Sequence, residues 1–392
     1  MKKAILVLFV ALLAIAVALA GLSCKTAKEE ATTGEGEVLT EGGVLNILCF
    51  NGYADEAWVK PFEEKYKCKV NVTYAGTVEE HFTKTKAAPK EYNLISIDPG
   101  RVNMYFDSDL IQPIDVSKLS NYTRIGKLFQ NPDYADPESK GEVYHVPFCW
   151  GEDTFAINMD KVTMEQLQPF YTEFAEKPGE GSLTLKLMAA PDFAGQISMF
   201  DEATNVTTLA ALALGVKDIF NFTEDDYKNV EAELKIWAKN CRLFTTGLDS
   251  ESQALLNEDV NIAILGQNAQ DSLIFEKAGK AGKFKQFQFT EGCHCWFDGW
   301  VITKPTEGAS LDLAHKYIDW MIGDEVQKQV ANLVGFGIVN PAGAAGYAEI
   351  IKKEQWWYAG SIDDFPVPLF IMRKEEDPER RVNLWNQIKS EL

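Results

Sequence analysis

Three short apolar runs separated by two helix-like stretches constrain this chain most. Val44-Leu45-Asn46-Ile47-Leu48-Cys49-Phe50 suits a buried strand, and Ala57, Val59, Phe62 and Tyr66 then give a helix pattern. A strand at Cys68–Tyr74 alternates Cys68, Val70, Val72 and Tyr74. A second helix pattern covers Val78–Ala87, and a third strand, Asn93–Ile97, ends at Asp98-Pro99-Gly100. Strands and helices in such alternation join through right-handed crossovers, so the spacing predicts an α/β fold with a largely parallel sheet. The body from Val44 to Leu392 is long enough for two domains with real cores.

What precedes that body reads as an address. Met1-Lys2-Lys3, an apolar run from Ala4 to Ala20 and Gly21-Leu22-Ser23 lead to Cys24. Lys25 to Gly43 is polar and holds five glutamates. This is the pattern of an exported bacterial lipoprotein: residues 1–23 are the expected signal peptide, Cys24 the acylated residue, and 24–43 a flexible tether. The usual box has Leu three residues before the cysteine, where this chain has Gly21. The expected location is periplasmic or at the cell surface, held to the membrane by lipid on Cys24, with roughly 20–30 Å of reach from the tether.

Loss of the leader removes Lys2 and Lys3 and no acid, taking the formal charge from −20 to −22. Such a surface repels nucleic acid, which is excluded as a partner. Of seven cysteines, Cys49, Cys68, Cys149, Cys241, Cys293 and Cys295 remain besides Cys24, too sparse for a disulfide scaffold. Cys293-His294-Cys295 has no second ligand pair at recognisable spacing, so no metal is expected. His81, His145, His294 and His315 are scattered and are read as surface or structural.

Further along, Thr154–Asn158, Asn261–Leu265 and Trp296–Thr303 read as strands, and 206–214 and 224–239 as helices. Ser310 is the expected N-cap of a helix with Leu313, Tyr317, Trp320 and Met321 on one face. A second helix is expected from Asp324, with Gly335 as its stop. The chain has no G-x-S-x-G, H-E-x-x-H, P-loop or G-x-G-x-x-G motif, so neither catalysis nor a cofactor is expected. What stands out is acids beside aromatic residues at strand ends, where open α/β sheets bind ligands. In Trp296-Phe297-Asp298-Gly299-Trp300, a strand would place Trp296, Asp298 and Trp300 on one face. A carboxylate between indoles suits an organic cation. The competing reading makes the tryptophans core and Asp298 a backbone partner.

Several stretches, in order, resemble the periplasmic spermidine/putrescine-binding proteins of ABC importers. They are Leu45–Tyr53, Phe62–Tyr66, Asn93–Ile95, Leu110–Asp115, Val146–Gly151, Asp259–Ala263, Trp296–Asp298 and Val334–Phe336. The resemblance implies a two-lobed periplasmic-binding-protein fold with crossing strands and a ligand cleft. Its expected bounds are 44–150 plus about 299–340 for one lobe and about 151–298 plus 341–392 for the other. Trp296 and Asp298 match the family's Trp and Asp, and Tyr53 its first-loop Tyr, while Phe50 stands in place of a Trp. Glu202 replaces a ligand-pairing Asp and Asn205 a Glu. Asp98 stands where the family has Ser, Gly100 and Phe336 where it has Tyr, and Gly266 where it has Trp.

The resulting expectation is a monomeric, lipid-anchored receptor that delivers a polyamine or related organic cation to an importer permease. Phe50, Tyr53, Asp98, Glu202, Asn205, Trp296, Asp298 and Phe336 would line the site. The alternatives are the same fold with another solute (an amino-acid derivative, a carboxylate or a metal ion), or an exported hydrolase or adhesin. A carboxylate ligand would call for Arg101. Glu152 and Asp153, at the expected lobe crossing, are read as solvated or as hinge hydrogen-bonding groups, the alternative being further negative charge for the ligand.

Overall fold

The alternation at the start of the body is present as β1 (Val44–Cys49), a helix at Glu56–Tyr66, β2 (Lys69–Tyr74), a helix at Val78–Ala87 and β3 (Leu94–Ile97). The computed structural model describes residues 42–246, 248–266 and 269–392; the leader, Cys24 and the tether as far as Glu41 lie outside the described residues. Asp55 caps the first helix by accepting from the Ala57 N–H, and Lys67 ends it in the left-handed region at φ 50°. β1 lies between β2 and β3 and is parallel to both.

The chain continues through β4 (Ile111–Gln112) and β5 (Val146–Glu152), and then leaves this sheet. β6 (Thr154–Asn158), β7 (Tyr171–Glu173), β8 (Gly181–Leu183), β9 (Ile197–Phe200), β10 (Cys241–Thr245), β11 (Ile262–Leu265) and β12 (Phe284–Phe289) build a second sheet. β13 (Cys293–Thr303), β14 (Gly337–Ile338) and β15 (Leu369–Ile371) return to the first. The first sheet runs β14-β5-β13-β3-β1-β2, with β4 and β15 also on β13; the second runs β10-β9-β11-β6-β12-β8-β7. Each sheet with its helices is one lobe of a two-lobed α/β fold. Both sheets are mixed: β13 runs antiparallel to β3, β4 and β5, β6 to β11 and β12, and β7 to β8, beside pairs that are parallel.

β5 is the interior strand that periodicity alone does not reveal. It carries Pro147, which cannot donate to a ladder. The sheet accommodates it with a slip: Asp298 faces Cys149, but the next residue, Gly299, faces Pro147. A Cβ at Gly299 would lie 2.4 Å from the Val146 carbonyl oxygen, so glycine is required at the slip.

Trp58, Phe62, Phe148, Trp300 and Tyr317 are fully buried in the core under the first sheet, joined by Tyr347, Tyr358 and Ile362 from the C-terminal region. The second core gathers Phe155, Leu209, Leu234, Trp237 and Trp385. The helix Pro378–Ser390 docks there through buried Arg381, whose guanidinium bonds Thr207 and Thr208 and the Ile219 carbonyl. The expected Ser310 cap is not formed. The helix begins at Gly308 after Glu307, and the Ser310 hydroxyl instead donates to the Val44 carbonyl at 3.2 Å, tying the helix to β1. The next helix, Asp324–Gln329, continues as a π turn to Val334 and stops at Gly335 with φ 74°. Cys49, Cys68, Cys149, Cys241, Cys293 and Cys295 are all free thiols. Among the described residues no helix is long and apolar enough to cross a membrane.

Candidate functional site

Asp153 alone separates β5 of the first sheet from β6 of the second, so the first crossing between lobes is one residue long. Its neighbour Glu152 is completely buried and holds groups from both lobes. It accepts from Tyr358 at 2.5 Å and from Gln288 of β12 at 2.9 Å. The chain crosses back between Phe289 and Cys293. β13 then carries Trp296 and Asp298 along the edge where the lobes meet.

On the first lobe, the Tyr53 hydroxyl donates to Asp298. Around this pair the rings meet edge to face: Phe50 and Phe336 against Tyr53 at 5.7 and 6.5 Å, and Trp296 against Phe336 at 5.1 Å. Asp298 and Trp296 are partly exposed, as a binding surface requires. Burial among these rings pushes the Asp298 carboxyl up to about 7; the Tyr53 hydrogen bond opposes the shift and the Asp98 charge adds to it. Asp98 sits at the end of β3, with Arg101 Nε 3.7 Å from its Oδ2, and burial raises its pKa as well. Gly100 keeps that carboxylate open: a Cβ there would come within 3.0 Å of Asp98 Oδ1.

Trp296 joins this group to the second lobe. Its ring lies flat over Gly151, where a Cβ would be 2.3 Å from Cζ2, and its indole N–H donates to the Gly266 carbonyl at 3.3 Å. A side chain at Gly266 would meet Asp153 Oδ1 at 3.3 Å. Asp153 in turn accepts from the Asn205 amide at 2.7 Å and lies 3.6 Å from His294 Nδ1. Glu202, expected to face a ligand, is the N-cap of the helix Ala203–Ala213, accepting from the N–H groups of Thr204 and Asn205. The cap orients Glu202 and consumes part of its hydrogen-bonding capacity.

One group here, Glu375, was not singled out in the sequence. Glu375 accepts from Thr204 and lies 3.6 Å from Arg381; burial raises its pKa, with Arg381 opposing and Glu202 reinforcing. It sits in Lys374-Glu375-Glu376-Asp377, which reads as a solvated charge run, and only the fold turns one of its members inward. His294 is buried, as are His81, His145 and His315. Trp300, on the same strand face as Asp298, stacks on Phe148 with centroids 5.4 Å apart and belongs to the core. Cys293 donates to Gln288, and among the described residues no three His, Cys, Asp or Glu are placed to hold a metal ion.

The arrangement offers carboxylates at aromatic walls, and its nearest guanidinium, Arg101, is engaged with Asp98. Chemically, such a set can receive positive charge.

A family model described as bacterial extracellular solute-binding protein matches residues 57–356. The spermidine/putrescine-binding periplasmic protein of Escherichia coli is 24% identical over 306 residues, covering 77% of this chain and 79% of that protein. A putrescine/cadaverine-binding protein of Pseudomonas aeruginosa is 23% identical over 300 residues, 76% of this chain and 80% of its own. In three dimensions the chain is similar to a spermidine/putrescine transporter substrate-binding protein from Streptococcus pneumoniae. The TM-score is 0.70 at 20% identity, over 89% of this chain and 99% of that one.

Proposed function

We propose that this chain, which belongs to the bacterial extracellular solute-binding proteins, receives a polyamine or related organic cation between its lobes and presents it to an ABC importer. One observation carries the reading: Asp298 is held at the lobe edge by Tyr53, whose ring meets Phe336, which in turn meets Trp296. Asp298 and Asp98 pair with one ammonium group, while Tyr53, Phe50, Trp296 and Phe336 cover the alkyl chain. Glu202, with Asn205 orienting Asp153, supplies negative charge on the facing lobe. Closure brings the two sets of groups onto one ligand, which favours the closed state by the contacts that only closure completes. Acylation of Cys24 keeps a monomeric receptor near its permease, outside the cytoplasmic membrane. The relatives named for spermidine, putrescine and cadaverine support this ligand class.

A thermal-shift screen of the full chain in detergent against polyamines, amino acids, sugars and metal ions tests the reading. A ligand at a hundred times its dissociation constant stabilises the fold by about 2.7 kcal/mol. Putrescine, spermidine or cadaverine should raise Tm; a rise with an anion or metal and none with these three contradicts the assignment.

Gly151→Ala gives a further expected result. The new methyl group occupies space now filled by the Trp296 indole, 2.3 Å from Cζ2, and pushes the ring off its seat. Cation affinity should fall at least tenfold with the circular dichroism spectrum unchanged. Unaltered affinity would show that the position of Trp296 does not matter for binding.

A further inference from the structure

Asp98 and Asp298 occupy facing positions on adjacent strands. β13 and β3 are antiparallel, with Gly299 opposite Ile97 and Trp300 opposite Ser96. One more step of that register, just past the end of β3, sets Asp298 opposite Asp98. Residues so placed on one sheet face have Cβ atoms about 4.5–5.5 Å apart, and like charges directly opposite destabilise a sheet. Asp98 is 9% exposed, and its buried Oδ1 has no hydrogen-bond partner among the described residues. Asp298 has one donor from Tyr53.

Two carboxylates in this relation, Asp98 buried and Asp298 half-buried, disfavour double ionisation unless a cation lies between them. We propose that Asp98 and Asp298 take one ammonium group between them, and that its arrival expels to solvent the single proton the empty pair shares. Asp98 is then the residue that sets both specificity and pH dependence at this site. The proposal rests on the cation-receptor reading above.

The surrounding groups leave the pair as the titrating unit. Tyr53 and Cys149, which face Asp298, are raised by burial and stay neutral, as does Tyr105 beside Asp98. His145 lies against Gly299 and bonds the Ile97 carbonyl at 2.9 Å; burial lowers its pKa to about 4, so it is neutral too. His81, packed against Phe50 at 4.3 Å, is lowered by burial. Of the cations, Arg101 reaches Asp98 alone, and Arg373 turns away to Asp218 at 2.8 Å. Arg101 therefore favours the charge on Asp98 and leaves the proton on Asp298, whose carboxyl titrates at about 7.

The test is calorimetric titration of the full chain with putrescine in two buffers of different ionisation enthalpy. The result expected is close to one proton released per ligand at pH 6 and close to none at pH 8.5. Affinity should fall about tenfold per pH unit below 7. Asp98→Asn, which removes the smaller of the two causes that raise Asp298, should reduce the proton release at pH 6 and move the fall in affinity to lower pH. In the empty protein, infrared difference spectra should show a protonated carboxyl lost near pH 7 in the parent and at lower pH in Asp98→Asn. Putrescine binding without proton release overturns the shared-proton pair while leaving the receptor reading intact. No polyamine binding at any pH overturns the receptor reading and the ammonium as occupant together, and the infrared titration then reports only that the empty pair holds a proton. A pair that responds to calcium ions and not to putrescine overturns the assignment of its occupant.

Discussion

Asp298→Asn is expected to weaken cation binding by about 2–5 kcal/mol, roughly a thirtyfold or greater rise in Kd. The amide keeps the shape and can still accept from Tyr53, but it carries no charge to set against an ammonium. The empty protein should stay folded and lose none of its stability at neutral pH and above. The sign follows from where the carboxyl titrates. Asp298 releases its proton at about 7 in the fold, against an ordinary value of 3.8. Between those values the folded state holds more protons than the unfolded one, so stability falls as pH rises from about 4 through 7. The amide removes that loss. Kd from calorimetry at pH 8, beside urea midpoints at pH 5 and pH 8, separates the two effects. Unchanged affinity, or a collapse of the fold at both pH values, would make Asp298 a structural residue.

Trp300→Ala has the opposite signature. Trp300 is fully buried, stacked on Phe148 and edge-on to Tyr317, both at 5.4 Å. Deleting the ring leaves a cavity beneath the helix Gly308–Met321 and should cost about 3–5 kcal/mol in urea unfolding. Affinity of the fraction that remains folded should stay within about fivefold of the parent. Trp300→Phe should recover most of the stability. The indole N–H has no hydrogen-bond partner among the described residues, so phenylalanine fills the space without burying an unsatisfied donor. A hundredfold loss of affinity in a stably folded Trp300→Phe would place this ring in the site after all.

These two residues also mark how far the sequence can be read. Alternation puts Trp296, Asp298 and Trp300 on one strand face, but it does not give depth along the strand. Two residues add about 6–7 Å, enough to carry Trp300 from the lobe edge into the core under Phe148. The first three strands and their helices were legible because each is a short apolar or alternating run with clear ends. The strand Val146–Glu152 was not, because Pro147 and the register slip opposite Gly299 break its pattern, and its buried Glu152 bonds Tyr358 and Gln288 from distant segments. Asp153, given three readings (added negative charge, a solvated group or a hinge hydrogen-bonding group), is buried and accepts from Asn205. Glu202 was read as a ligand group; the helix cap it forms follows from its place before Ala203, a signal the sequence does contain. Glu375 was out of reach, since a charge run looks alike whether or not one of its members faces Thr204.

The most direct test of the cation-receptor account is a crystal structure of the chain grown with putrescine or spermidine. The account predicts an ammonium nitrogen within hydrogen-bonding distance of both Asp98 and Asp298, with the alkyl chain along Trp296 and Phe336. A polyamine bound away from these carboxylates, or an anion seated between the lobes on Arg101, would contradict it.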